Sequence, residues 1–144
     1  MNREKSGIQI LGNQCDREIV LAVRRFVKFL KQRYTFPILL KIHLRDCLKV
    51  VAPISQETCY SCIWVPEDTE EIYQYPYILC AVGDYLEEKT KHGRDNALAS
   101  YLVDIARQVL AYQNWIIKDS LNVYAINIKA SKLVEQYAET REHP

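Results

Sequence analysis

Hydrophobic positions along this chain follow a helical period, then a strand period, then a helical period again. Ile19, Val20, Val23, Phe26, Val27 and Leu30 recur three or four residues apart, with Arg17, Arg24, Arg25, Lys28 and Lys31 elsewhere around the circumference. This spacing predicts an amphipathic helix. Asn13 or Asp16 can cap its start. Pro37 requires an end by about Tyr34 or Thr35, because the residue before a proline is pushed out of the α region. The segments FPILLKIHL, CLKVVAP, YSCIWVP and QYPYILCAV are then rich in β-branched and aromatic residues. They predict three or four strands, with Arg45-Asp46 and PEDTEEI as polar connections. A polar segment, Gly83 to Asp95, leads into a second long helix capped by Asp95 or Asn96. Its apolar stripe is Leu98, Leu102, Ile105, Val109, Tyr112 and Ile116, widened by Tyr101 and Trp115. A last helix is expected from about Leu121 towards Glu139, with Val123, Ile126, Ala130, Leu133, Val134 and Tyr137 inward. A helix, a run of strands and two helices make an α+β fold.

The 144 residues fit one domain, 1–144, of a size that buries about 70% of the unfolded chain's surface. No repeat, low-complexity tract or Pro/Gly-rich linker interrupts it. Hydrophobic residues at 49% and charged residues at 26% are ordinary for a globular protein. The apolar runs fall short of the roughly 20 residues that span a bilayer. The opening MNREKSGIQILG lacks the apolar core and cleavage site of a signal peptide. The expected address is therefore the cytoplasm, with no membrane partner. In that compartment Cys15, Cys47, Cys59, Cys62 and Cys80, an odd set in largely apolar surroundings, read as small buried hydrophobes.

Charge adds one feature. The net charge is +1, yet residues 1–50 carry eleven Lys/Arg against four Asp/Glu, and the remainder carries eight against fourteen. Such segregation marks either an acidic partner for the first part or attraction between the two parts. The basic helix, through Arg17, Arg24, Arg25, Lys28 and Lys31, is a candidate nucleic-acid surface. Its cations are spread around the helix, however, and no aromatic-interleaved RNA signature accompanies them.

Other chemistry is sparse. Cys59-Tyr60-Ser61-Cys62 has C-x-x-C spacing, but a structural zinc site needs a second ligand pair, and His43, His92 and His143 are scattered. The two cysteines fall on opposite faces of a strand, and thioredoxin-type chemistry would put the first at a helix N-terminus. His43 reads as a packed or rim residue and Cys80 as core. No G-x-S-x-G, P-loop or G-x-G-x-x-G occurs, and no cofactor is expected. Tyr73, Tyr75, Tyr77 and Tyr85 cluster around the last strand, where aromatic residues suit either a core or a contact surface.

Two strings carry a resemblance. PYILCAVGDYLEE followed by HGRDNALASYLVDIARQVLAYQNWI resembles small bacterial zincin-like (HExxH metallopeptidase-like) proteins, in which a strand precedes a helix reading roughly ALA…IAHE…HYxQW. Ala97-Leu98-Ala99, Ile105-Ala106, Tyr112-Gln113 and Trp115 match that frame, and the terminal QYAETREHP is similar to that group's C-terminus. The resemblance runs from about Tyr77 to Trp115 and returns at the tail. It implies a zincin-like domain: an N-terminal backing helix, a small mixed sheet, a metal-binding helix and a later helix with a third ligand.

In that motif two imidazoles four residues apart grip one zinc, and the Glu between them is general base to the metal-bound water. Carried over, the three roles fall on Arg107, Gln108 and Ala111. Arginine has no lone pair to offer, glutamine takes no proton at neutral pH and alanine has no donor atom. Between Asp119 and Glu135 no His, Asp, Glu or Cys supplies a third ligand. Zinc peptidase chemistry at this site is therefore not expected. Ser100, Asp104, Arg107, Ala111, Asn114 and Lys118 share one helical face, and Asp104 can pair with Arg107, so the face also reads as simply solvated. In proteins of this layout an edge strand beside the active-site helix holds extended peptide. The resemblance thus implies a catalytically inactive peptide- or protein-binding module, pairing by β-augmentation over Tyr75–Val82 through Tyr75, Tyr77, Leu79 and Ala81.

Overall fold

A computed structural model describes residues 6–12, 15–51, 59–66, 76–118 and 121–142. The elements are β1 (Ile8–Leu11), α1 (Arg17–Lys31), β2 (Leu40–Arg45), β3 (Val50–Val51), β4 (Cys59–Tyr60), β5 (Cys62–Val65), β6 (Tyr77–Ala81), α2 (Val82–His92), α3 (Arg94–Ile117) and α4 (Val123–Glu142). The main sheet has the order β1-β2-β6-β5, and β3-β4 form a separate ribbon. β1, β2 and β6 run parallel, whereas β5 is antiparallel to β6. The α+β class with a small mixed sheet and two long C-terminal helices holds.

α1 forms for the reasons its pattern gives. Ile19, Val23, Phe26 and Leu30 are fully buried, and the Ile19 N–H donates to Asp16 Oδ1 at 3.1 Å, closing the start of the helix. α3 buries Ala97, Tyr101, Leu102, Ile105, Ala106, Val109, Leu110 and Tyr112. α4 packs along α3 and contributes Ala130, Leu133, Val134 and Tyr137 to the core. Tyr137 also meets Phe26 and Phe29 edge-on, with centroids 5.2 and 5.4 Å away, joining the last helix to the first. No helix among the described residues is long and apolar enough to cross a membrane.

Three elements differ from the sequence reading. β1 precedes the first helix. The polar segment Gly83–Asp95 is mostly the helix α2, whose inner face is little more than Val82 and Tyr85. α2 ends at Gly93, whose φ of 84° is costly for any residue with a Cβ, and α3 starts at once on the other side.

The third difference bears on function. β6 is not an edge strand. It pairs with β2 on one side and β5 on the other, so its backbone groups are already used and it cannot accept an added strand. Tyr77, Ile78, Cys80 and Ala81 are each at most 1% exposed, as a strand covered on both faces requires. Of the residues expected to bind peptide, Tyr77 and Ala81 are buried and Leu79 is half-buried, all on a strand interior to the sheet. Tyr75 lies outside the described residues, as does Tyr73, and Val82 opens α2.

Candidate functional site

Among the described residues the edges of the sheet are β1 and β5, and β5 is the one against α3. Trp64 of β5 meets Tyr112 and Trp115 of α3, with ring centroids 5.7 and 5.9 Å apart. These edge-to-face contacts hold strand to helix. The ladder fixes which backbone groups remain open. Ser61 O accepts from the Ala81 N–H at 2.8 Å, and Cys62 pairs with Cys80 and Trp64 with Ile78. Hydrogen-bonded and non-hydrogen-bonded pairs alternate along antiparallel strands. Cys62 and Trp64 therefore turn their N–H and C=O groups away from β6, to an edge that no other described strand occupies.

The α3 face beside this edge carries the motif positions. Arg107, Gln108 and Ala111 are half-buried, as are Asp104 and Asn114, while Ser100 and Lys118 are exposed. The reading as a plain solvated face is corrected: β5 packs on α3, and the Asn114 amide donates to Leu121 O at 3.3 Å in the turn into α4. Arg107 pairs with Asp104 as expected. Its Nε is buried with no hydrogen-bond acceptor among the described residues.

Behind the edge lies a thiol-phenol cluster. Cys62 and Cys80 face each other across the sheet, both buried. Burial pushes the Cys62 thiol well above its usual range, and the hydrogen bond with Cys80 adds to this. Burial likewise drives the Tyr101 phenol far up, with the Cys80 and Cys62 thiols next in effect. Cys62 and Tyr101 thus stay protonated, as inert core cysteines do, so Cys62 is no nucleophile. Cys59 sits in β4, on the other ribbon from Cys62, and its side chain is outside the described residues. Among the described residues no group of three or more His, Cys, Asp or Glu is placed to hold a metal.

At the start of β5 the Ser61 hydroxyl donates to Asp84 Oδ2 at 2.8 Å, and the Lys49 ammonium donates to Ser61 Oγ at 3.1 Å and to Asp84. An ammonium has no lone pair to activate a hydroxyl. This trio acts as a strut between α2 and the β4–β5 corner.

The other candidates disperse. His43 is 9% exposed on β2, with its ring edge-on to Tyr77 at 5.9 Å. Burial, aided by Arg45 and Lys41, pushes its pKa down from 6.5 to about 4. The unfolded chain therefore binds the extra proton between those values. His43's contribution to stability is complete above about pH 6.5 and is lost as pH falls towards about 4. Thermal melts across this window are expected to show Tm dropping less steeply in His43→Gln than in the parent; equal slopes would place the acid sensitivity elsewhere. His92 is exposed, 3.5 Å from Glu88 on α2, and His143 lies outside the described residues. Tyr85 is buried in α2. The basic residues of α1 split. Arg24, Lys28 and Lys31 border β1, Arg25 borders a second cavity with Tyr85 and Tyr137, and Arg17 is exposed at the helix start. Sequence reasoning missed β5 as the edge, although Trp64 and Trp115, the chain's two tryptophans, were the signal that one strand meets this helix.

No protein-family model matches the sequence, no curated protein is similar to it and no solved structure matches its fold.

Proposed function

We propose that this chain is a non-catalytic, zincin-like domain that holds an extended peptide along the open edge of β5, beside α3. One observation carries the reading: the antiparallel edge strand of the sheet lies against the helix that bears the Arg107-Gln108-Val109-Leu110-Ala111 positions. That is where the resemblance puts substrate, and it replaces the interior strand β6. The residue types at the motif positions support binding without hydrolysis, since none offers a zinc ligand or a general base. A bound segment would add a strand by exchanging main-chain hydrogen bonds with Cys62 and Trp64, while its side chains meet Trp64, Trp115 and the Asp104–Arg107 pair.

Peptides selected from a random library on the purified protein test this. Binding is expected to persist in EDTA. N-methylation at alternate residues in one register should weaken it by about tenfold or more, as the loss of two hydrogen bonds of about 1 kcal/mol each implies, and in the other register should change little. Equal sensitivity in both registers, or binding only with zinc, would contradict it.

A further inference from the structure

The opposite edge of the sheet presents a different chemistry. A groove of about 710 Å³ runs between β1 and α1, bordered by Ile8 and Ile10 on the strand and by Arg24, Val27, Lys28 and Lys31 on the helix. We propose that this groove docks an acidic, extended segment of a partner protein, added as a strand to β1. The inference is independent of the reading of β5.

The backbone supplies the first half of the argument. The Leu40 N–H donates to Gly7 O at 3.0 Å, and β1 pairs with β2 and with no other described strand. Successive residues of a strand turn their amides to opposite sides. Gly7, Gln9 and Leu11 therefore serve β2, and Ile8 and Ile10 direct N–H and C=O groups outward into the groove. An open edge of this kind is a template for another strand.

Charge supplies the second half. Arg24, Lys28 and Lys31 are all exposed and lie four and three residues apart, on one face of α1. None of the three forms an ion pair with another described residue. Helical residues four apart are separated by about 6 Å along the axis, and alternate strand residues by about 6.6–6.8 Å. An added strand would therefore match the Arg24–Lys28 spacing with two alternate side chains, while Lys31 lies about 4.5 Å beyond Lys28 along the helix. The occupant this selects has Asp or Glu at alternate positions on the face that carries α1, and the residues between them turn to the opposite face of the sheet, the side of Gln9 and Leu11. A nucleic acid would use the cations and leave the strand edge unmet, and among the described residues no aromatic ring borders the groove for a base to stack on.

The test uses the full chain and a short labelled peptide of alternating Glu and Val. The controls are a Lys-Val peptide, a Glu-Val peptide N-methylated at alternate residues, and an oligothymidylate. The expected result is binding of the Glu-Val peptide that weakens with salt, is lost on N-methylation and is not shown by the Lys-Val peptide. Lys28→Glu with Lys31→Glu should weaken it by about tenfold or more, since both cations are reversed. Arg25→Glu, facing the other cavity, should leave it unchanged. Both sets of substitutions sit on exposed helix positions, and a circular dichroism spectrum checks that α1 persists; Arg24→Gln gives a milder second variant. Absence of binding at low salt would overturn the proposal. So would binding that survives the double reversal, which would place the peptide at β5, or preference for the oligothymidylate with no effect of N-methylation.

Discussion

Replacing Tyr112 with alanine is expected to destabilise the fold by about 3–5 kcal/mol, as truncation of a large buried aromatic does. Tyr112 is fully buried. Its ring stacks on Phe36 with centroids 5.5 Å apart and meets Trp64 edge-on. Its hydroxyl donates to Ile38 O and accepts from the Ile38 N–H at 3.2 Å. One side chain thus ties α3 to the approach into β2 and to the edge strand β5. Tyr112→Phe separates the two contributions. It keeps the ring and leaves both Ile38 backbone groups without their partner, a loss of about 1–3 kcal/mol. Urea unfolding followed by far-ultraviolet circular dichroism gives both numbers. A loss in the alanine variant no larger than in the phenylalanine variant would mean that the ring contributes no packing. Because total stabilities run to about 5–15 kcal/mol, the alanine variant is also expected to lose β5 from α3 before the rest unfolds.

Gly83→Ala is the second large effect, and its sign is set by two opposing terms. In a helix interior alanine is favoured over glycine by about 1 kcal/mol, an upper bound at Gly83, the second residue of α2. A Cβ at position 83, however, would stand 2.6 Å from Cys47 O and 2.9 Å from Cys47 C. The Gly83 N–H already donates to Cys47 O at 2.8 Å, which fixes the approach. The obstruction is backbone, so no rotamer change relieves it, and overpacking of this kind costs about 1–3 kcal/mol. The clash is expected to win, with a lower urea midpoint for Gly83→Ala. A raised midpoint would show that the loop at Cys47 yields freely.

What could be read from the residues, and what could not, follows from how much each element depends on its neighbours. α1 was legible because its core-facing residues repeat at helical spacing and Asp16 caps it. α3 and α4 were legible from their helical spacing, but Val123, expected inward, is exposed, and α3 starts after Gly93 rather than at an Asp95 or Asn96 cap. α2 was not: between Gly83 and His92 its inward positions are only Tyr85 and half-buried Leu86. Its charged surface, including the Glu87–Lys91 pair at 2.9 Å, reads as a polar connection. β1 is four residues long and shows too few alternations to register. The placement of β6 at an edge failed because strand order is a non-local property. Even so, the unbroken apolar run Tyr77–Ala81 was a local sign of a strand covered on both faces. The site was legible only as residue types on α3. Which strand lies beside them was set by the pairing of β5 with β6, and the basic groove appears only once β1 is placed next to α1.

Both proposed surfaces exploit an unfilled ladder, at opposite ends of one sheet and with different neighbours: aromatic rings at β5, three cations at β1. The charge segregation along the chain supports this division, since the basic excess lies in residues 1–50, the part that includes β1 and α1. Residue-resolved amide hydrogen exchange tests the central claim most directly, because it reads the backbone groups that would do the binding. With a library-selected peptide bound, the Cys62 and Trp64 amides are expected to become protected while those of Ile63 and Val65, already bonded to β6, change little. Protection that leaves Cys62 and Trp64 as open as in the free protein would contradict the assignment of β5 as the peptide-holding strand.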